Sequence, residues 1–203
     1  MQRRRLIAAT AATVLAPFGA DAQELPKKIT LFVGFAAGGA ADHAARVVAK
    51  RLAENLVATV VVENKAGAGG NIVHQQVSQA APDGSVILLG SIGPLSIAPH
   101  LGKLGYDPQK DLAPLTMGMN FPNVLVVPPT LGAKSLAELI ALAKREPGKL
   151  NYGSTGAGSA SHLAGELFAD LAGIDIVHIP FKGGAPAVTE LLAGRLSMYF
   201  ATM

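Results

Sequence analysis

The sequence predicts an α/β protein with mostly parallel sheets and helices on both faces. Two observations carry that prediction. Short β-type runs alternate with segments of helical periodicity in a βαβαβ order, and parallel neighbours need crossover connections of that kind. Glycine-rich turns also recur where a strand hands over to a helix, at Gly38-Gly39, Gly67 to Gly70, Gly153 to Gly158 and Gly183-Gly184. With 50% hydrophobic and 15% charged residues over 203 positions, the chain is globular, with room for one large domain or two small ones.

The elements follow in order. Arg3, Arg4 and Arg5, the apolar stretch Leu6 to Ala20 and the small-x-small end Ala20-Asp21-Ala22 form the three parts of a cleavable secretory signal, and the apolar run is too short to span a bilayer. Residues 1–22 are therefore expected to be removed and the mature protein exported. Their loss takes three arginines and Asp21, lowering the formal charge from +3 to +1. The sequence pI of 9.3 is thus no signal for nucleic acid, since no Lys/Arg cluster remains.

Ile29 to Phe35 reads as a strand and Ala36 to Ala40 as a small-residue turn. Asp42 to Leu56 reads as a helix because Ala44, Val47, Val48 and Leu52 recur at helical spacing. Asp42 is expected as its N-cap or first-turn residue. Thr59 to Val62 is strand-like, Ile72 to Ala80 helical, Pro82-Asp83-Gly84 a turn and Val86 to Leu89 a strand. From Ile92 to Pro114 periodicity is lost among prolines and glycines, which reads as a linker or cleft segment. A second unit begins with strand Val124 to Val127. A helix entered at Ser135 follows, with Glu138 placed for a capping box and Gly148 as its stop. Next come a strand at Leu150 to Tyr152, a helix from Ser159 to its stop at Gly173, a strand Ile176 to Ile179, a helix Pro186 to Ala193 and a strand Leu196 to Phe200. The expected division is residues 23–100 for a first lobe, 101–123 for the linker and 124–203 for a second lobe.

The chemistry legible in these turns is anion binding. A helix N-terminus presents unpaired N–H groups at the positive end of its dipole, and glycines let an anion approach the backbone. The turn at Gly153 is the most specific, because Ser154, Thr155 and Ser159 add hydroxyls. Nucleotide fingerprints fail, since Ile72 and Ser161 stand where G-x-G-x-x-G needs glycine and no G-x-x-x-x-G-K-[ST] occurs. The absence of cysteine removes disulfides and thiolate metal sites, and the five histidines show no metal-ligand spacing. No cofactor or metal is expected. The competing class is an exported hydrolase using Ser154 or Ser159 with His162, although no G-x-S-x-G elbow is present.

Several stretches together resemble one family, the substrate-binding receptors of tripartite tricarboxylate transporters, or Bug proteins, of bacterial periplasms. They are Val33 to Asp42, Val61 to Gly70, Pro82-Asp83-Gly84, Pro147 to Ser154, Gly158-Ser159 with His162 to Phe168, and Pro180 to Ala187. The resemblance implies a type II periplasmic-binding-protein fold of two αβ lobes. The lobes would close without chemistry on a small organic carboxylate or a related amide or aromatic acid, for delivery by a monomer to membrane transporter subunits or a sensor protein. Carried over residue by residue, it implies ligand binding by Ala36, Ala37, Gly38, Gly39 and Asp42 in the first lobe, and by Gly153, Ser154, Thr155, Gly158, Ser159 and His162 in the second. The sequence departs from the family pattern at Ala37, where proline is usual, at Ser85, where an aromatic is usual, and at Val73, where glycine is usual. Family members also continue beyond the strand at Leu196 to Phe200, so the C-terminal part of the first lobe is expected to be missing here and receptor function to be impaired.

Overall fold

A computed structural model describes residues 25–203; the expected signal segment lies outside them. Two sheets organise the chain. The first contains β1 (Lys28–Val33), β2 (Thr59–Asn64) and β3 (Val86–Leu89) in the order β2-β1-β3, all parallel. β1 is central, and its residues from Leu31 to Val33 are buried on both faces, as a parallel sheet covered on two sides requires. Helix α1 (Ala40–Leu56) lays Ala45 and Ala49 against Leu31 and Val33. Helix α2 (Asn71–Ser78) connects β2 to β3.

The second sheet runs β4-β7-β5-β6, from β4 (Asn123–Val126), β5 (Asn151–Ser154), β6 (Val177–Pro180) and β7 (Met198–Thr202). β5 pairs in parallel with β6 and β7, whereas β4 pairs antiparallel with β7. On one face Leu139 and Ala143 of α4 (Leu136–Arg145) form a core with Leu150, Tyr152, Met198 and Phe200; Ala164 and Phe168 of α5 (Ala160–Ala172) join it. On the other face Ala187 and Leu191 of α6 (Gly184–Leu192) pack with Leu196 and Tyr199.

The α/β expectation holds, with local differences that have physical causes. The segment expected as irregular contains a π-helical turn, Gly93–Ile97, and the single-turn α3 (Ala98–Leu101). Each carries a proline at its start, where a missing N–H costs nothing, and neither is long enough to show a periodicity. Helix α1 starts at Ala40 with Gly39 as its N-cap, so Asp42 is a first-turn residue and not the cap. Helix α4 stops at Arg145, ahead of Pro147; Gly148 serves the following turn at φ +71. The capping box is present in part. Ser135 Oγ accepts from Glu138 N at 3.2 Å, but the Glu138 carboxylate reaches one residue further back, accepting from Lys134 N at 2.8 Å. β7 is displaced by two residues from its expected position, because Leu196 is used in the α6 core before pairing with β5 begins at Met198.

This topology positions the site. Chain leaving β1 goes to β2 on one side and returns to β3 on the other; chain leaving β5 goes to β6 and returns to β7. Crossovers in opposite directions leave a crevice outside the carboxyl end of the central strand. The turn after β1 and the turn after β5 are therefore the two places where a ligand can meet backbone.

Candidate functional site

The two crevices open onto one cavity of about 780 Å³, within the range of small-molecule pockets. Gly38, Gly39, Ala40 and Ala41 line it from the first sheet, and Thr155, Ser159, Ala160 and Ser161 from the second. The lobes meet beside it in close backbone contacts. Ala36 N donates to Lys182 O at 2.8 Å. A Cβ on Gly69 would lie 2.4 Å from Ala157 O, and one on Gly93 would lie 2.9 Å from Gly158 O. Glycine is required at Gly69 for a second reason, its φ of +62.

The first turn is held open by one carboxylate. Asp42 Oδ2 accepts from Gly38 N at 2.9 Å and from Arg46 Nε at 3.0 Å, while Arg46 Nη2 lies 2.9 Å from Oδ1. Arg46 also reaches Asn64 Oδ1, and Asn64 Nδ2 donates to Phe35 O at 3.1 Å, so β2 braces the same turn. Burial pushes the Asp42 carboxyl up, but Arg46, the Gly38 N–H and Asn64 together outweigh it and hold the group below the usual carboxylate range. Asp42 is therefore ionised at neutral pH. It occupies the first turn of α1, where negative charge is favourable.

The second turn consumes most of its own backbone donors. Thr155 N donates to Ser161 Oγ at 2.9 Å, Gly156 N to Ser154 Oγ at 3.1 Å, Gly158 N to His162 Nδ1 at 3.1 Å and Ser159 N to Gly156 O at 3.1 Å. What remains at the cavity is a set of hydroxyls centred on Ser161, whose Oγ lies 3.2 Å from Thr155 Oγ1 and 3.1 Å from Ser159 Oγ. Ser159 also caps α5, accepting from His162 N at 3.3 Å. The start of α5 adds its unpaired N–H groups.

The expected residues thus divide. Gly38, Gly39, Thr155 and Ser159 line the cavity; Ala36, Ala37, Asp42, Gly153, Ser154, Gly158 and His162 do not. Ala36 N is used by Lys182 O, and Asp42 acts on the turn rather than on the cavity. Gly153 is in β5, where a Cβ would meet Leu196 Cδ1 at 2.7 Å. Ser154 is fully buried and turned away, its Oγ 2.6 Å from His178 Nε2. The ring of His162 stacks on His178 at 4.0 Å and accepts from Gly158 N. Neither Ser154 nor Ser159 hydrogen-bonds the ring of His162, so the nucleophile and base of the hydrolase reading are not assembled. Among the described residues no cluster of His, Asp and Glu could hold a metal ion, and no helix is long and apolar enough to cross a membrane.

Sequence reasoning missed Ser161, His178 and His74. Ser161 follows from the helical turn, being two residues past the cap and on the cavity side. The two histidines could not be found from spacing, because their partners come from other elements. His74 is fully buried on α2, with Nδ1–H donating to Gly70 O at 2.8 Å and Nε2 accepting from Ser91 N at 3.4 Å. It ties the turn after β2 to the turn after β3. Burial lowers its pKa more than the Gly70 carbonyl raises it.

Burial, followed by the neighbouring His162, pushes His178 down to about 4 from an ordinary 6.5, with Glu166 opposing. The folded protein therefore takes up this proton later than the unfolded chain as pH falls. The contribution of neutral His178 is complete above pH 6.5 and is lost between 6.5 and about 4. Stability should fall by roughly 2 kcal/mol over that window once screening is allowed for. Urea titrations at intervals from pH 7 to 4 should show this slope, and His178→Phe should flatten it even though Ser154 loses a partner. An equal slope in both proteins would assign the pH dependence elsewhere.

With this geometry in view, comparison with known proteins decides the family. The model of the tripartite tricarboxylate transporter family receptor, TctC, matches residues 44–203. The chain belongs to this receptor family. A UPF0065 protein of Bordetella pertussis is 39% identical over 199 residues, covering 96% of this chain and 61% of the relative. BugT of the same organism is 40% identical over 185 residues, covering 90% and 56%. Among solved receptors, MatC from Rhodopseudomonas palustris with bound malate superposes with a TM-score of 0.82 at 31% identity, covering 86% of this chain and 60% of that one. The periplasmic binding protein BugD superposes with a TM-score of 0.76 at 34% identity, covering 86% and 58%. The chain thus spans about three fifths of the length of these family members, and its fold is that of TctC-like periplasmic binding proteins.

Proposed function

We propose that this member of the family is a periplasmic receptor that captures a small organic carboxylate, without transforming it, for a tripartite tricarboxylate-type transporter or a sensor protein. The observation that supports it most is the convergence on one cavity of three helix N-termini, those of α1, α5 and α6, with the Ser161-centred hydroxyls in the same wall. Neutral donors at positive dipole ends attract a carboxylate and release it readily. Relatives known with malate and adipate fit the same ligand class. The proposed division is a first lobe over 23–100, a linker over 101–123 and a second lobe over 124–203, acting as a monomer. Gly38, Gly39, Thr155, Ser159 and Ser161 are proposed to touch the ligand, with Asp42 as a positioning residue.

The test is calorimetric titration of the purified chain with a panel of organic acids. Ser161→Ala should weaken binding by about 1.5 to 3 kcal/mol, the value of a hydrogen bond to a charged group, while Ser154→Ala, which removes a group facing His178, should alter stability and leave affinity nearly unchanged. The opposite ranking would move the anion site off the cavity. Export is tested separately: the intact mass of the periplasmic protein should correspond to a mature N-terminus at Gln23. A mass that includes Met1 would exclude cleavage.

A further inference from the structure

Three helices carry the same device at their entry. The residue three past the N-cap reaches back with its side chain and accepts the N–H of the residue just before the cap. Asp42 accepts from Gly38 N at 2.9 Å on α1, Glu138 from Lys134 N at 2.8 Å on α4, and His162 Nδ1 from Gly158 N at 3.1 Å on α5. Two of these acceptors are carboxylates, which accept whenever they are ionised, and Asp42 is held below the usual carboxylate range. The third is an imidazole, which accepts at Nδ1 only while that nitrogen carries no proton. The ring proton is then on Nε2, 3.7 Å from Glu166 Oε1.

We infer that His162 is the positioning residue of the second lobe, the counterpart of Asp42 in the first, and that a proton on its Nδ1 releases the turn at Gly158 and weakens ligand capture. This rests on the carboxylate-receptor reading above and adds its regulation by acid. Thr155 and Ser159, both in the cavity wall, stand at the two ends of that turn, and Ala157 O and Gly158 O are the atoms set against Gly69 and Gly93 across the lobe contact. Loosening the turn therefore displaces hydroxyls and contact together. A protonated Nδ1 would face the Gly158 N–H donor to donor, so the ring must leave, and a cation is disfavoured at the positive end of the α5 dipole. Its attraction for the ligand is offset by Glu166, which stands beside Nε2 on the same helix. The other groups facing the ring are His178 of β6, stacked at 4.0 Å, and Tyr152 of β5, whose hydroxyl is 3.4 Å from His162 O and donates to Glu166. His178, pushed down to about 4 by burial and then by His162, is neutral at the pH values of the test.

The experiment titrates adipate, malate, citrate and benzoate calorimetrically into the whole chain at pH 7.5, then follows the tightest binder of the four at pH 7.5 and 5.5, a range over which an ordinary histidine gains its proton. Two variants are compared: His162→Asn, which keeps an acceptor oxygen bonded to Cγ as Nδ1 is, and His162→Leu, which keeps that shape without the acceptor. On acidification the affinity of the unmodified chain should fall at least threefold more than that of His162→Asn, since protonation of the acid itself is common to both. At pH 7.5 His162→Leu should bind at least threefold more weakly than His162→Asn. With no acid added, the Gly158 amide of the unmodified chain, followed by NMR, should shift in step with the His162 ring between the same pH values. Equal pH dependence in the unmodified chain and His162→Asn, equal affinity of the two variants, or a Gly158 amide that does not follow the His162 ring would overturn the inference while leaving the carboxylate reading intact. Failure of all four acids to bind at pH 7.5 would overturn that reading and the inference with it.

Discussion

Gly165→Ala should destabilise the second lobe by about 2 to 3 kcal/mol, although alanine is the better helix former by about 1 kcal/mol. Gly165 is in the middle of α5, and a Cβ there would lie 2.1 Å from Tyr152 Cε2 and 2.6 Å from both Cδ2 and Cζ. The tyrosine cannot yield. It is fully buried in the sheet core, its hydroxyl donates to Glu166 Oε1 at 2.5 Å, and its ring stacks on His178 at 5.0 Å. Helix and sheet would have to separate, disturbing the hydroxyls carried on the first turn of the same helix. Urea denaturation should show a lowered midpoint with an unchanged slope, while Leu167→Ala, two residues on and 57% exposed, should change little. A Gly165→Ala protein as stable as the parent would mean that α5 lies further from Tyr152.

Gly69→Ala should cost ligand affinity about 2 to 3 kcal/mol, or roughly 30- to 150-fold, with only a modest loss of stability. The backbone at Gly69 is left-handed, which an alanine tolerates at roughly 1 kcal/mol, and the added methyl would collide with Ala157 O across the lobe contact. A carbonyl in a tight turn cannot rotate aside as a side chain would, so the lobes would move apart at the point where the two halves of the cavity meet. Titration of the variant with whichever carboxylate the parent binds measures the effect. Undiminished affinity would show that the approach of Gly69 to Ala157 is not needed for capture.

The fold was legible wherever a local rule decided the structure. Strand β1 ends in the apolar run Leu31-Phe32-Val33 because it is central and parallel, α5 is bounded by Ser159 and Gly173, and both features are readable from neighbours in sequence. The glycine-rich turns were equally legible as the places where strands feed helices. What the sequence could not reveal was which donors the turns keep for themselves. Ser154 and Ser159 look alike in a string, yet one is on a strand facing His178, 24 residues away, and the other caps a helix at the cavity. Whether a hydroxyl faces a ligand or a core depends on which side of β5 it projects, and that depends on a strand pairing made much later in the chain. The short helical turns from Gly93 to Leu101 were missed for a different reason: a single turn has no period to detect.

The clasp between the lobes is made of main chain. Gly69 against Ala157, Gly93 against Gly158 and Ala36 N–H on Lys182 O join the halves through atoms that every residue possesses, and only the glycines constrain which residues can stand there. The wall of the cavity is different in kind, since Met119, Phe121 and Val188, which have large side chains, are among the residues that line it. The contact and the wall thus overlap at Gly69 and Gly93, while the larger side chains of the wall stand apart from it. Under the proposed function, a lineage can exchange wall residues outside that contact one at a time, so that a gene copy can drift to a new nutrient while its two lobes stay joined.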